Sequence, residues 1–115
     1  MYHVNRIAVI LKPKQPYADW ANSLPDTGGH LLDLANSDIE RTVYLVPSFT
    51  YTREAATFVR KICKELFEEE LFAWCTDPNL WPKKRDWATF QLWFDVEIDS
   101  VVIDLLNEEI EKEEM

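Results

Sequence analysis

Three carboxylates, Asp95, Glu97 and Asp99, stand at alternate positions of one segment. In a β-strand they would project from the same face at intervals of roughly 6.6–6.8 Å. Such a row could bind a divalent cation if a neighbouring strand added oxygen ligands, and paired carboxylates also serve glycoside hydrolysis. The simpler interpretation is a solvated sheet face, whose carboxylates form ion pairs with Arg6 or Lys12 on an adjacent strand. Nothing in the sequence marks a metal site of this kind, and no EF-hand loop pattern is present. We expect no metal and no cofactor.

A basic triplet, Lys83-Lys84-Arg85, lies between Trp81 and Trp87. Cations interleaved with aromatic rings can bind single-stranded nucleic acid. Three cations are few for this purpose, and the strongly negative field around them repels a polyanion before contact. We therefore expect no nucleic-acid partner, and a compact anion or an acidic partner segment suits the triplet better.

Trp81 has a special place, because Pro82 after it holds it in an extended conformation. A rigid tryptophan in a loop is a common anchor at protein interfaces. The alternative is that the ring is a lid that closes the core.

The long predicted helix is basic in its first half and rich in glutamate in its second half. This order is unfavourable for the helix macrodipole and slightly destabilises the helix. Ion pairs between Lys61 and Glu65 and between Lys64 and Glu68 would offset part of that loss. In the simpler interpretation, packing of the apolar stripe of the helix outweighs this small electrostatic penalty. The alternative is that the glutamates, Glu68 and Glu69 among them, are held for a basic partner.

Nucleophilic catalysis has little support. Cys63 falls on an apolar stripe, and Cys75 lies at the negative end of the helix dipole, where a thiolate is disfavoured. His3 and His30 have no motif relation to either cysteine. We expect no catalytic residue, and we favour a protein that is not an enzyme.

The elements that position these residues follow from hydrophobic periodicity. A run of five apolar residues predicts a central strand, and a stripe at three- and four-residue steps predicts one long helix. The predicted order is strand Val4–Leu11, helix Tyr17–Leu24, strand Thr42–Pro47, helix Tyr51–Trp74 capped by Thr52, loop Thr76–Arg85, helix Asp86–Phe94 capped by Asp86, and strand Asp95–Leu106.

Two segments remain ambiguous. In Asp95–Leu106 the apolar parity changes after Ser100, which a β-bulge would produce, unless the strand becomes buried on both faces. His30–Glu40 is either a helical turn or a strand. The pattern predicts an α+β fold, with a small mixed or antiparallel sheet of three to four strands covered by one long helix and short helices. A fourth strand at His30–Ile39 would complete a ferredoxin-like arrangement.

Composition bounds the function. The 115 residues carry a net charge of −9, with a net of +2 over residues 1–64 and −11 over residues 65–115. We expect a single domain over residues 1–106 and an acidic tail over 107–115. Two cysteines without disulfide spacing, and no run long enough for a signal peptide or a membrane span, favour the cytoplasm.

Thr42–Phe49 (TVYLVPSF), Asp77–Pro82 (DPNLWP) and the pair Trp93-Phe94 resemble a small group of uncharacterised bacterial proteins. The resemblance covers about half of the chain and implies a bacterial cytoplasmic origin with no assigned activity.

From the residues themselves we expect a protein-interaction module with an acidic surface, whose partner is a basic protein or another copy of this chain. The alternative is a small ligand-binding protein or enzyme with a pocket between Trp81, Trp87 and Trp93, where the carboxylate row or the basic triplet supplies the polar contacts.

Overall fold

Two antiparallel sheets and three helices form the described part of the chain. The computed structural model describes residues 1–25, 31–35 and 41–115. Its elements are β1 (Tyr2–His3), β2 (Arg6–Pro13), α1 (Gln15–Asn22), β3 (Thr42–Pro47), α2 (Thr52–Trp74), a 3-10 turn (Pro78–Leu80), α3 (Trp87–Trp93), β4 (Phe94–Asp99) and β5 (Ile103–Asp104). The fold is α+β, as the sequence predicts.

The main sheet has the strand order β3-β2-β4, and both pairings are antiparallel. Its central strand is β2, in which Ile7, Val9 and Leu11 are almost fully buried on the inner face. Ala8 on the outer face is also buried, and Ile10 is half-buried. A continuous apolar run suits this place, because a central strand has neighbours on both sides.

Helix α2 covers the inner face of this sheet with its apolar stripe. At the centre of the core, Phe67 of α2 meets Phe90 of α3 and Phe94 of β4, and all three rings are almost completely buried. The Phe67 and Phe94 centroids are 5.4 Å apart at 89°, and those of Phe90 and Phe94 are 5.2 Å apart. These aromatic contacts join the helices to the edge strand β4.

The N-terminal caps of α2 and α3 are formed by side chains close to each helix start. Asp86 caps α3 as predicted, and its carboxylate accepts a hydrogen bond from the Thr89 backbone N–H at 2.9 Å. The predicted cap of α2 at Thr52 is wrong by one residue, because Thr52 is already helical and Tyr51 is the N-cap. The Glu54 carboxylate stabilises this start by accepting the Tyr51 N–H at 3.3 Å.

The predicted strand Asp95–Leu106 is confirmed over Asp95–Asp99, but it is wrong as one continuous strand with a bulge. Strand β4 ends at Asp99, and the chain continues into β5, which pairs with β1 in a separate two-stranded sheet. A further hydrogen bond joins Val4 N–H to the Val102 carbonyl at 2.8 Å. The change of apolar parity after Ser100 therefore marks a change of partner strand.

The predicted loop Thr76–Arg85 contains the short 3-10 turn. Pro78 takes its first position, where the missing N–H of proline costs nothing. The Asp77 side chain accepts the Asn79 N–H at 3.0 Å and supports this turn. Pro78 thus permits a short helical turn that the prediction omitted.

Two predictions concern other segments. The choice between helix and strand at His30–Glu40 falls largely on residues 30 and 36–40, which lie outside the described residues. Residues 107–115 are described and form neither helix nor strand. The division into a domain over 1–106 and an acidic tail stays a prediction.

Candidate functional site

The strand register places the carboxylate row and an apolar patch on the same outer face of the main sheet. On this face β2 lies between the carboxylates of β4 and two side chains of β3, Val43 and Leu45, which pair with Ile10 and Ala8. Val43 is 54% exposed and Leu45 is 50% exposed. We call Ile10, Val43 and Leu45 together with Asp95, Glu97 and Asp99 the outer-face patch.

The carboxylate row is partly neutralised by lysines of the central strand and the residue that follows it. Lys12 Nζ lies 2.5 Å from Glu97 Oε1, and Lys14 Nζ lies 4.0 Å from Asp95 Oδ1. The hydrogen bond from Lys12 holds the pKa of the Glu97 carboxyl below its usual range. Asp99 has no cation within 4.0 Å in the described ranges, where no group of three candidate metal ligands occurs either.

Trp81 lies over the edge of the core. Its ring is half-buried and packs against the core cluster, and its indole N–H donates to the Cys75 carbonyl at 2.8 Å. The neighbouring Leu80 carbonyl accepts the indole N–H of Trp20 at 2.9 Å. This geometry supports the interpretation of Trp81 as a lid, and its role as an interface anchor stays a prediction.

The basic triplet lies against helix α2. Arg85 Nε is 3.3 Å from Glu68 Oε1, and Arg85 Nη1 donates to the Pro82 carbonyl at 2.8 Å. Lys83 and Lys84 are exposed, and Lys84 Nζ lies 4.0 Å from Asp86 Oδ2.

The glutamates at the end of α2 have separate environments. Glu68 turns to Arg85, so the expected pair Lys64–Glu68 is not within 4.0 Å, and neither is the pair Lys61–Glu65. Glu69 is exposed. That Glu68 and Glu69 are held for a basic partner stays a prediction.

A shallow cleft of about 330 Å³ opens between α2, α3 and β4. Of the three tryptophans expected to form a pocket, Trp87 is the one that lines it. Trp93 instead packs edge-on against Tyr17 at 6.2 Å, and Trp81 packs against the core cluster. The three indoles thus do not line this cleft together.

Glu70 is a buried carboxylate that the sequence reasoning did not single out. It is 8% exposed and accepts hydrogen bonds from the Tyr44 hydroxyl, at 3.3 Å, and from Thr42. Burial raises the pKa of its carboxyl, and these two hydrogen bonds partly oppose that rise. Its spacing, three residues after Phe67 and four after Leu66, places it on the buried stripe and could have identified it.

The nucleophile candidates are not brought together. Cys63 is buried, and its burial raises the pKa of the thiol, which keeps it protonated and unreactive. The Cys75 thiol lies 3.8 Å from the Asp77 carbonyl, and His3 is exposed on β1. His30 is outside the described residues.

Comparison with protein-family models, with curated proteins and with solved structures finds no match. This outcome is consistent with a resemblance that implies no assigned activity. None of the described helices combines the length and the apolarity that crossing a membrane requires.

Proposed function

We propose that this chain is a non-enzymatic protein-interaction module of a bacterial cytoplasm, and that it binds its partner through the outer-face patch. The observation that carries the proposal is the exposure of Val43 and Leu45, at 54% and 50%, on the same sheet face as a row of carboxylates one strand away. The two free cysteines suit a reducing compartment, and the resemblance points to bacteria.

The patch combines two kinds of recognition. Covering half-exposed Val43 and Leu45 would contribute about 1 kcal/mol for each side chain. The carboxylates, of which Asp99 has no described cation partner, would steer a positively charged segment and set its orientation. The complementary surface is therefore apolar along one side and basic along the other.

A basic partner fits better than a second copy of this chain. Two outer faces placed together would bring carboxylate rows near each other, and each copy carries a net charge of −9. Like charges in contact oppose association. The partner we propose is a protein with a segment of aliphatic and Lys/Arg side chains.

The test compares proteins captured from a bacterial lysate by three immobilised chains: the unaltered protein, Val43→Glu/Leu45→Glu, and the matched control Leu92→Glu/Leu105→Glu. Leu92 is 63% exposed and Leu105 is 72% exposed, so the control adds the same two charges at apolar surface positions outside the outer-face patch. We expect the unaltered protein and the control to retain the same basic proteins, which are lost from the double variant and released at about 0.5 M salt.

Circular dichroism and thermal melts establish that the three chains are equally folded. Equal capture by all three chains, or capture of no protein above background, would contradict the proposal. Self-association is the other readout. A dimer in sedimentation that Val43→Glu/Leu45→Glu dissociates would assign the face to a second copy and overturn the basic partner.

A further inference from the structure

A second surface, away from the outer-face patch, collects cations from two parts of the chain. Lys61 and Lys64, one turn apart on α2, and Lys83 and Arg85 of the following loop line an open cleft of about 390 Å³. We call these four side chains the basic cleft. Its wall is completed by Cys63 and Asp86.

The loop half of the basic cleft is held in place by its own hydrogen bonds. Arg85 is fixed by the Pro82 carbonyl at 2.8 Å and by Glu68 at 3.3 Å. The segment before it is tied down through the indole N–H groups of Trp20 and Trp81. Because this arrangement exists before a ligand arrives, binding would cost little ordering entropy on the loop side.

Three of the four cations of the cleft, its lysines, have no close carboxylate among the described residues, whereas Arg85 is paired with Glu68. In the described ranges no carboxylate lies within 4.0 Å of Lys61, Lys64 or Lys83. This concentration of positive charge stands out in a chain whose net charge is −9. Cations held close together repel one another, and a bound anion would relieve that repulsion.

The two remaining wall residues, Cys63 and Asp86, do not cancel the positive charge of the cleft. The Cys63 thiol is neutral, because burial raises its pKa. The Asp86 carboxylate is turned to Thr89, whose backbone N–H and hydroxyl donate to it at 2.9 and 2.6 Å. These hydrogen bonds lower the pKa of the Asp86 carboxyl, so it lines the cleft as one negative charge. The three lysines without a carboxylate partner in the described ranges outweigh it.

We infer that the basic cleft binds a compact small molecule that bears phosphate groups. Cations approach from the helix and from the loop, which suits the several oxygens of a tetrahedral phosphate, and Lys and Arg are its usual ligands in proteins. A cleft of about 390 Å³ has the size of a small-molecule site. A long polyanion would meet the negative remainder of the chain and be repelled.

The test is calorimetric titration of the full chain with pyrophosphate and, separately, with citrate, at ionic strength matched with sodium chloride. The test variant is Lys64→Ala/Lys83→Ala, and both side chains are exposed. The control variant, Arg53→Ala/Lys112→Ala, removes the same charge from exposed positions outside the cleft. Lys64→Arg/Lys83→Arg keeps the charge.

We expect saturable, one-to-one binding of pyrophosphate, several-fold tighter than that of citrate. The Lys64→Ala/Lys83→Ala variant should bind at least about tenfold more weakly, whereas the control and the arginine variant bind within about threefold of the unaltered chain. Absence of saturation with pyrophosphate would overturn the inference. If the control variant binds pyrophosphate as weakly as the test variant, the loss comes from net charge alone and the inference fails. Tighter binding of citrate than of pyrophosphate would refute the assignment to phosphate.

Discussion

Replacing Phe90 by alanine tests whether the aromatic cluster holds the helices and the sheet together. Phe90 is completely buried on α3. Its ring stacks on Trp87 at 5.8 Å and 19°, and lies 5.2 Å from Phe94 and 5.9 Å from Phe67. The substitution therefore removes contacts to α2, α3 and β4 in one step.

The size of the effect follows from this burial. A fully buried phenylalanine replaced by alanine costs about 3–5 kcal/mol, from lost burial and from the cavity that remains. Three aromatic neighbours place Phe90 in the upper part of that range, at about 4–5 kcal/mol. A chain of 115 residues has a free energy of unfolding of roughly 6–17 kcal/mol, so the loss is a large share of the total.

The assay is urea unfolding at neutral pH, followed by circular dichroism for Phe90→Ala and for a control, Phe72→Ala. Phe72 undergoes the same chemical change but is 53% exposed on α2, so we expect a loss of less than about 1 kcal/mol. Phe90→Ala should lower the urea midpoint by about 2–4 M. A loss below about 1.5 kcal/mol for Phe90→Ala, or equal losses in both variants, would refute a core built on this cluster.

Three further predictions use urea unfolding. Tyr17→Phe removes a buried hydroxyl that donates to the Glu70 carbonyl at 2.5 Å and should cost about 1 kcal/mol. Trp81→Phe keeps a ring but loses the N–H bond to Cys75 and should also cost about 1 kcal/mol; no loss would contradict the lid. For Glu70→Gln we expect a gain in stability over the unaltered chain that grows as pH rises. Burial raises the pKa of Glu70 in the folded state. The folded carboxyl therefore keeps its proton at pH values above the ordinary pKa of 4.5. As the pH rises from there to the raised pKa, the free energy of unfolding of the unaltered chain declines. Glutamine cannot ionise, so a stability difference between the two chains that does not change with pH would refute this prediction.

The elements that sequence reasoning predicted well are those whose pattern is local. Strand Thr42–Pro47 has the predicted bounds, and the helix predicted at Tyr51–Trp74 begins one residue later. Asp86 caps α3 because a short side chain can reach the N–H of its own helix start. Periodicity and capping depend on neighbours within one or two turns, which any reader of the sequence can see.

The sites depended on contacts between distant segments. The basic triplet was visible, but its meeting with Lys61 and Lys64 was not, because it requires the loop to fold back on α2. The exposure of Val43 and Leu45 was equally hidden, since a strand of aliphatic residues suits a covered face as well as an open one.

By itself the sequence determined the α+β class, the long helix with its apolar stripe and the acidic character of the second half. The tertiary structure alone decided that β5 pairs with β1 and that Glu70 is buried beneath Tyr44. The physical reason is that composition and periodicity describe one segment at a time. Strand partners, buried charges and clusters of cations arise when packing brings together residues that lie far apart in the chain.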